Sequence, residues 1–337
     1  MIKVLHPGIF TTIQDLGRSG FQAFGVPLAG AMDEYSCRVA NLLVGNEEKA
    51  PVLELTMSGG SYEFLQDTLI AITGAQMAAQ LDDRILANWN SYLAKKGERL
   101  TFSFAKQGCR AYLAVAGGFN VKKVMGSAST YTRSKMGGVE GRALRQDDVL
   151  QILPSGNFEE KSLPEDFQLN FSEQPIIRVL PGPQDDAFVD EALTDLQNST
   201  YQIEPDSDRM GYRLSGTVLR HKKTADIISD ALFKGAVQVP GNGQPIIMLS
   251  DCQTTGGYTK LCFVITPDLD VLAQCKPGDK IKFAVVDEVQ AAEIYVKYRK
   301  KLDDVRIYLK NPSVLAKQLD IKVNGIQYKV EIKEIEV

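Results

Sequence analysis

The side chains best suited to chemistry lie in one polar stretch, VQVPGNGQPIIMLSDCQTTGGYTK at 237–260. Amide, hydroxyl and backbone N–H groups at this density can hold a ring amide or stabilise a developing oxyanion without a metal. A core strand or a plain turn would not need so many of them. Asp251 is the candidate catalytic base of the stretch. Its candidate substrate-binding residues are Gln238, Gln253, Thr254, Thr255, Gly256, Gly257 and Tyr258.

Two arginines bracket a second polar cluster, SDRMGYRLSG at 207–216. Guanidinium groups form forked hydrogen bonds with carboxylates and phosphates. Arg209 and Arg213 are therefore candidate catalytic residues that would hold a carboxylate or a phosphate. The alternative is structural, because an arginine–aspartate network with Asp208 would lock a turn at this position.

A third cluster, TTIQDLGRSGFQAFGVPLAGAMD at 11–33, is rich in glycine. Glycine lets the backbone approach a ligand closely, so the cluster is typical of a loop at the rim of a site. Asp15 is a second candidate base, and Arg18 is a candidate substrate-binding residue. Because they lie three positions apart, an ordinary loop ion pair between them is the alternative. A fourth glycine-rich stretch, at 125–148, carries Arg133 and fits either a substrate loop or a surface turn.

The composition argues against several common kinds of site. The 337 residues include two histidines, His6 and His221, which makes a His-rich metal site or a Ser–His–Asp triad improbable. The five cysteines form no CxxC pair, so we expect neither a disulfide framework nor a zinc site, and a reducing cytoplasm fits best. Cys252 lies in the polar stretch, but we expect a passive role because a nucleophilic cysteine normally needs a nearby base.

Charge and hydropathy exclude two classes of partner. The net charge is −4 and no basic block of five or more residues occurs, so the sequence has no footprint for nucleic acid. The longest apolar runs, such as AYLAVAGGF at 111–119, fall well short of the ~20 residues of a membrane span. Pro7 and Gly8 come too early for a signal-peptide core. The phosphate-loop, GxGxxG, GxSxG and HExxH motifs are all absent from the sequence.

Short strands must position these clusters. Runs of β-branched and aromatic residues, bounded by Gly, Pro and Asp, predict strands at 69–75, 99–105, 109–118, 149–153, 176–183, 245–251 and 261–267. Apolar side chains at helical spacing predict helices at 33–45, with Asp33 as N-cap, at 185–196 and at 287–302. Because strands predominate and do not alternate with helices, we expect a mainly β protein built from barrels or sandwiches.

A polar stretch with three prolines, at 154–175, predicts a linker between two β-rich halves. We accordingly divide the chain into a first domain at 1–160, a second at 161–286 and a tail at 287–337. In the tail, Asn324–Gly325 between two apolar runs predicts a closing β-hairpin. Its strands resemble the opening strands of biotin carrier domains, but the sequence contains no Met-Lys-Met site for biotin attachment.

Several stretches together resemble one known family, called allophanate hydrolase subunit 2 or the biotin-dependent carboxyltransferase family. The resemblance extends from residue 1 to about residue 285 and rests on long motifs in the same order. These are TTIQDLGRSG, GVPLAGAMD, YLAVAGGF, the PGPQ-D-F segment at 181–188, SDRMGYRLSG, GAVQVPGNGQPI and QTTGGY. The resemblance implies two cyclophilin-like β-barrel domains, followed by a C-terminal helix and hairpin.

The resemblance also implies a role within a complex. The family includes the C-subunit of the bacterial ATP-dependent 5-oxoprolinase, in which three kinds of subunit open 5-oxo-L-proline to L-glutamate. The implied partners are a KipI-like B-subunit and a LamB/YcsF-like A-subunit, and ATP would be bound by this chain or by a partner. Two alternatives stay open. One is part of a biotin-dependent carboxyltransferase that acts on urea or a similar amide, and the other is a non-catalytic antagonist of a KipI-like kinase inhibitor.

Overall fold

The structure, a computed structural model, describes residues 1–156 and 158–310, together with the backbone of residues 317–323 and 326–332. Strands predominate, which confirms the predicted mainly β class. The chain forms two β-rich halves, followed by a long helix and a two-stranded ribbon. The domain boundaries at 160 and 286 stay predictions.

The first half is built from two sheets that share one apolar core. Its strands are β1 (Ile2–His6), β2 (Phe10–Gln14), β3 (Val52–Thr56), β4 (Ser61–Phe64), β5 (Thr68–Gln76), β6 (Gln80–Leu81), β7 (Arg84–Ile85), β8 (Asn90–Ala94), β9 (Arg99–Thr101), β10 (Gln107–Val115) and β11 (Val149–Leu150). The sheet orders are β11–β1–β4–β9–β6–β7 and β2–β3–β10–β5–β8. Along β10, Leu113 faces the core between the sheets while Tyr112 packs on the opposite side, as the two-residue period of a strand requires.

The second half closes into a barrel. Its strands are β12 (Ile176–Pro181), β13 (Thr200–Ile203), β14 (Gly211–Ser215), β15 (Asp226–Ala231), β16 (Ala236–Gln238), β17 (Ile246–Met248), β18 (Thr255–Tyr258), β19 (Lys260–Val264) and β20 (Lys280–Val285). The barrel order is β12–β19–β16–β17–β14–β13–β20. The β15 and β18 strands pair with each other as a separate ribbon beside the barrel. A closed barrel has no unpaired edge, so its loops are held on a rigid frame.

Four α-helices lie within the described residues, and the first begins as the sequence predicts. They are α1 (Glu34–Leu43), α2 (Ala192–Asn198), α3 (Thr266–Ala273) and α4 (Glu288–Lys310). The Asp33 carboxylate accepts a hydrogen bond from the backbone N–H of Ser36 at 2.8 Å, which is the predicted N-cap. Gly45, just past the end of α1, has a φ of +74°, a conformation that favours glycine.

The predicted helix at 185–196 is wrong in its first half. Residues 185–187 form one 3₁₀ turn, and the α-helix begins at Ala192. Phe188 instead bridges to His221, and the Val189 N–H donates to the Arg220 carbonyl at 3.0 Å. A helix through these positions would withdraw those backbone groups from their partners, so the tertiary contact overrides the local pattern.

The third predicted helix is longer than expected, because α4 continues to Lys310. Leu302, Val305 and Leu309 are buried and recur at helical spacing, so the same apolar stripe extends two further turns. These side chains pack with α1 against the first half. The first turns of α4 are mostly exposed.

The described part of the predicted linker at 154–175 is hydrogen-bonded to the first half, so it is not a free connection between the halves. Ser91 and Lys161 exchange backbone and side-chain hydrogen bonds, and the Tyr35 hydroxyl donates to the Phe167 carbonyl. In the tail, β21 (Lys317–Val323) pairs antiparallel with β22 (Ile326–Ile332), which confirms the hairpin strands. The predicted Asn324–Gly325 turn lies outside the described residues. Within residues 1–156 and 158–310, no helix combines the length and apolar character needed to cross a membrane.

The two halves meet along a polar contact surface, called the seam below, formed by Asp33, Glu54 and Arg110 of the first half and by Arg209, Tyr212 and Gln274 of the second. The Arg110 guanidinium donates to the Tyr212 hydroxyl at 2.7 Å and to the Ala273 carbonyl at 2.6 Å. The Gln274 amide donates to Asp33 at 2.6 Å. Because these donors and acceptors are buried and paired across the seam, they fix the position of one half against the other.

Candidate functional site

A cleft of about 730 Å³ brings together side chains from several of the predicted clusters. Most of its wall comes from the second half, and Arg133 reaches it from the first. The predicted site residues that line it are Arg213, Gln238, Gln253 and Tyr258. The cleft is the candidate functional site because it is the concave surface where these donors converge. A cavity of about 320 Å³ on another surface, between 106–108 and 169–175, contains none of the predicted residues.

A tight turn at Pro240–Gly243 shapes one wall of the cleft. Gly243 has a φ of +72°, and a Cβ atom there would lie 2.8 Å from the Leu219 carbonyl oxygen, so the position requires glycine. The Gln244 side chain pins the turn to the barrel, because it accepts from the Gly216 N–H at 2.9 Å and donates to the Gly216 carbonyl at 3.1 Å. The wall is therefore held by the barrel frame.

The two glutamine side chains of the cleft, Gln238 and Gln253, differ in burial. Gln238 is buried at the end of β16, and its side-chain amide donates to the Tyr258 carbonyl at 3.3 Å. Gly256 lies directly against it, since a Cβ atom there would come within 2.5 Å of the Gln238 amide nitrogen. Gln253 is exposed at the rim. One amide is thus preset by packing, and the other can adjust to a bound molecule.

The remaining residues of the QTTGGY motif form structure beside the cleft. Thr255 and Gly256 pair with β15 in the ribbon, and the Thr254 carbonyl accepts from the Leu232 N–H at 2.9 Å. Thr254, Thr255 and Gly257 do not line the cleft. Their roles in substrate binding stay predictions, and in the structure they position Gln253 and Tyr258.

Charged groups at the cleft entrance are paired with one another. Arg213 contacts Asp206 at 3.0 Å, and Arg133 contacts Asp208 at 3.1 Å. Both pairs are about half exposed, so each contributes little to stability. The Arg133–Asp208 pair joins the two halves at the surface. The sequence indicated Arg133 only as part of a glycine-rich loop.

Arg209 lies in a closed network at the seam. Its Nε and Nη2 atoms each donate to the Asp251 carboxylate at 3.0 Å, Nη2 also donates to the Gly30 carbonyl at 2.7 Å, and Nη1 donates to Glu54. This is the arginine–aspartate alternative from the sequence, but the aspartate is Asp251 and not Asp208. Burial opposes the charge of Arg209, yet Asp251 and Glu54 raise its pKa above the ordinary value.

The pKa values of the two carboxylates in this network are shifted in opposite directions. Burial favours the neutral form of Glu54, but Arg209 and Arg110 together hold its pKa below the ordinary value. For Asp251, burial raises the pKa and Arg209 offsets only part of the effect. Glu54 also accepts hydrogen bonds from the Met32 N–H at 2.8 Å and the Tyr112 hydroxyl at 2.9 Å. Glu54 was missed in the sequence, although a charged residue inside the apolar run PVLELTM signals a buried partner.

Asp15 and Arg18 are both buried, and the alternative of an ion pair between them is not what the structure shows. The Asp15 carboxylate accepts from the Ser127 hydroxyl at 2.6 Å, the Ala128 N–H at 2.6 Å and the Ser129 hydroxyl. Arg18 donates through Nη2 to the Ser129 carbonyl. No oxygen of Asp15 lies within 4.0 Å of the Arg18 guanidinium in the described structure. Asp15 is used fully in holding the loop at 127–129, so its proposed role as a base stays a prediction.

The thiols play no visible part in the cleft. All five cysteines are buried and unpaired in the part of the chain that the structure describes. Burial raises the pKa of the Cys252 thiol to about 12, so it is protonated at neutral pH. Among residues 1–156 and 158–310, no group of three or more His, Cys, Asp or Glu side chains is arranged to hold a metal ion.

The fold is that of a carboxyltransferase domain. The family model described as the carboxyltransferase domain, subdomain A and B, matches residues 24–285. That match covers more than half of the chain, so the chain belongs to this family. The expected resemblance to a carboxyltransferase family is confirmed.

Similar proteins extend the comparison. The chain is 41% identical to the 5-oxoprolinase C-subunit of Escherichia coli over 84% of its own length and 90% of the relative. It is 38% identical to the 5-oxoprolinase C-subunit of Haemophilus influenzae, over 91% of its own length and 98% of the relative. The crystal structure of Kluyveromyces lactis urea amidolyase superposes with a TM-score of 0.86 at 31% identity over 90% of the chain. The chain spans 20% of that larger enzyme.

Proposed function

We propose that this chain is the C-subunit of an ATP-dependent 5-oxoprolinase, which cleaves 5-oxo-L-proline to L-glutamate. The observation that carries the proposal is the extent of the match. The chain aligns with 90% and 98% of two bacterial subunits of that name, but with only 20% of the urea amidolyase structure. Agreement over nearly the whole of a relative supports a shared role more strongly than agreement with one module of a larger enzyme.

The cleft supplies the groups that a five-membered lactam needs. An amide side chain both donates and accepts, so Gln238 and Gln253 would pair with the carbonyl and the N–H of the ring. Tyr258 adds a hydroxyl at the rim. Donors fixed before the reaction stabilise negative charge as it develops on the lactam oxygen, because they need no reorganisation at that moment.

Asp251 is the residue we assign as base for the attacking water. Burial raises the pKa of its carboxyl, which makes it a better proton acceptor than an ordinary aspartate. Both oxygens accept from Arg209 in the structure, so Arg209 is a positioning residue that orients the carboxylate. Asp251 is buried beside the cleft and does not line it, so proton transfer would require one of these hydrogen bonds to lengthen and the carboxylate to turn toward the cleft.

The cleft does not fit a triphosphate, so we assign ATP to a partner protein. Arg133 and Arg213 are each already paired with an aspartate, and Glu204, Asp206 and Asp208 line the same wall. These carboxylates would repel a polyanion. The partners in this proposal are a KipI-like B-subunit and a LamB/YcsF-like A-subunit. Five unpaired cysteines suit a reducing compartment, which supports a cytoplasmic location.

The test is reconstitution with the two partner proteins. The complete mixture should release glutamate from 5-oxo-L-proline only with ATP, and omission of this chain should abolish the release. Gln253→Ala should lower the rate about 10-fold or more while the partners still co-purify, whereas Gln80→Ala on the exposed strand β6 should leave it unchanged. A rate that is the same without this chain would refute the proposal.

A biotin-dependent carboxyltransferase is the second candidate, favoured by the family match and by the fold shared with urea amidolyase. The ureido ring of biotin presents N–H and carbonyl groups to which the same amide donors are suited. Residues 1–337 contain no Met-Lys-Met attachment site, so in this candidate function biotin would be presented from outside these residues. Transfer of carboxylate from carboxybiotin to urea by the purified chain would support this function in place of the first.

A further inference from the structure

The side chain of Arg18 is buried, and some of its N–H donors have no hydrogen-bond partner among the described residues. Its side chain is 1% exposed, and Nη2 donates to the Ser129 carbonyl. The Nε and Nη1 atoms are buried as well, and neither has an acceptor among the described residues. A buried guanidinium is costly unless its N–H groups are paired, so this side chain strongly favours an acceptor that reaches it.

The carboxylates whose charges act on Arg18 do not accept hydrogen bonds from it, because they are turned toward other donors. Asp15 is held by Ser127, Ala128 and Ser129, and both oxygens of Asp251 accept from Arg209. Burial lowers the pKa of Arg18, and the charges of Asp15 and Asp251 offset only part of this effect. The two aspartates therefore attract a cation to this position without satisfying its hydrogen bonds.

The contacts of Arg18 place it between the seam and the loop that leads to Arg133. Asp251, whose charge acts on Arg18, lies two residues before Gln253 of the cleft rim. The Ser129 carbonyl, which accepts from Arg18, lies four residues before Arg133 of the cleft wall. Gly17, the chain neighbour of Arg18, packs against Gly30, whose carbonyl accepts a hydrogen bond from Arg209, the partner of Asp251. Arg18 therefore lies beside the seam. The Arg133–Asp208 pair in the cleft wall, which joins the two halves at the surface, is exposed and weak, so it can open at little cost.

We propose that Arg18 binds the carboxylate of the lactam substrate beside the seam. A carboxylate offers two oxygens that match the fork of a guanidinium, and charge-assisted hydrogen bonds of this kind are the strong ones. The other candidate arginines are committed, since Arg209 pairs with Glu54 and Asp251 and Arg213 pairs with an aspartate in solvent. The inference rests on the proposed function, because 5-oxo-L-proline is the molecule that brings the carboxylate.

The test compares 5-oxo-L-proline with 2-pyrrolidinone, the same ring without its carboxylate, in the complete three-protein mixture. Arg18→Met should lower kcat/KM for 5-oxo-L-proline by about 10- to 100-fold, the expected loss for a charge-assisted contact, mainly through KM. Turnover of 2-pyrrolidinone, which makes no such contact, should change less than about 2-fold. Arg18→Lys keeps the charge and should restore part of the loss. Arg84→Met, at an exposed pair on β7, is the matched control.

Each outcome decides the inference separately from the proposed function. Equal effects of Arg18→Met on both lactams, or no effect on either, would overturn the carboxylate site while the activity of the wild-type mixture still supports the function. If the wild-type mixture does not act on 5-oxo-L-proline, the function fails, and the site is tested by thermal shift of this chain. A shift by 5-oxo-L-proline but not by 2-pyrrolidinone, lost in Arg18→Met and partly kept in Arg18→Lys, would support the site, and its absence would refute it.

Discussion

Two buried arginines, Arg209 at the seam and Arg18 beside it, are both nearly inaccessible to solvent but have opposite surroundings. Arg209 is 7% exposed, and its guanidinium is shared between Asp251, Glu54 and the Gly30 carbonyl. Arg18 is 1% exposed, and it has one carbonyl as its partner among the described residues. The pKa of Arg209 is raised and that of Arg18 is lowered. In each case burial disfavours the charge, and the difference is whether carboxylates at contact distance outweigh it.

The contrast separates an arginine that holds the protein together from one that is available to a ligand. Residue type and motif do not make this distinction, because both arginines lie in glycine-rich polar clusters of the sequence. The number of hydrogen-bonded N–H groups distinguishes the two arginines, since an arginine whose N–H groups are all paired has none left for a substrate. The variants below test the difference.

The largest effect is expected when the closed network loses its cation. Arg209→Met would leave Glu54 and Asp251 buried without their common partner, and breaking a buried ion pair in this way costs about 3–5 kcal/mol. Urea unfolding followed by the fluorescence of the buried Trp89 would measure the change in the free energy of unfolding. Arg84→Met removes an exposed pair with Glu98 and should cost less than about 1 kcal/mol. A loss for Arg209→Met as small as that of this control would contradict the prediction.

Asp33, a buried carboxylate at the seam, should make the free energy of unfolding depend on pH. Burial raises the pKa of Asp33 from 3.8 to about 6, despite hydrogen bonds from Ser36 and Gln274. Between these values the folded state keeps a proton that the unfolded chain loses, so the free energy of unfolding falls as the pH rises. For Asp33 the fall is on the order of 3 kcal/mol.

Asp33→Asn should remove this dependence, since asparagine stays neutral and still caps α1. Relative to wild type, the variant should therefore gain about 2.5 kcal/mol in the free energy of unfolding between pH 4 and pH 8, since the unfolded carboxyl is already partly ionised at pH 4. Urea unfolding at both pH values measures this difference, and any constant cost of the substitution cancels. Asp186→Asn, in an exposed turn, is the control. Parallel curves for wild type and Asp33→Asn would show that Asp33 is ionised throughout.

Sequence patterns predicted the elements better than the roles of the side chains. The start of α1 and most strands follow from local signals, such as the Asp33 cap and runs of β-branched residues. The helix at 185–196 failed because Phe188 pairs with a residue far along the chain. The same limit applies to Arg209, whose partner Glu54 lies 155 positions away. Whether an arginine is closed or open depends on such distant contacts, and no local spacing reveals them.

The turn that shapes the cleft offers a smaller test within a matched pair of glycines. Gly243→Ala would force a side chain into a φ of +72° and place its Cβ 2.8 Å from the Leu219 carbonyl oxygen, which should cost about 1–3 kcal/mol. Gly241 lies two residues earlier with no atom within 4 Å of a Cβ position, so Gly241→Ala should be neutral or slightly stabilising. Thermal melting of both variants measures the contrast. Equal melting temperatures would show that the turn relaxes without strain.

The smallest effect on stability should come from the most deeply buried arginine. Arg18→Met removes one hydrogen bond to the Ser129 carbonyl, but it also removes a buried charge whose other donors are unpaired in the described structure. These two changes oppose each other, so the free energy of unfolding should move by no more than about 1 kcal/mol in either direction. Urea unfolding beside Arg209→Met provides the direct comparison. A loss for Arg18→Met that matches the roughly 3–5 kcal/mol expected for Arg209→Met would mean that both arginines are structural, and the distinction between a closed and an open cation would be wrong.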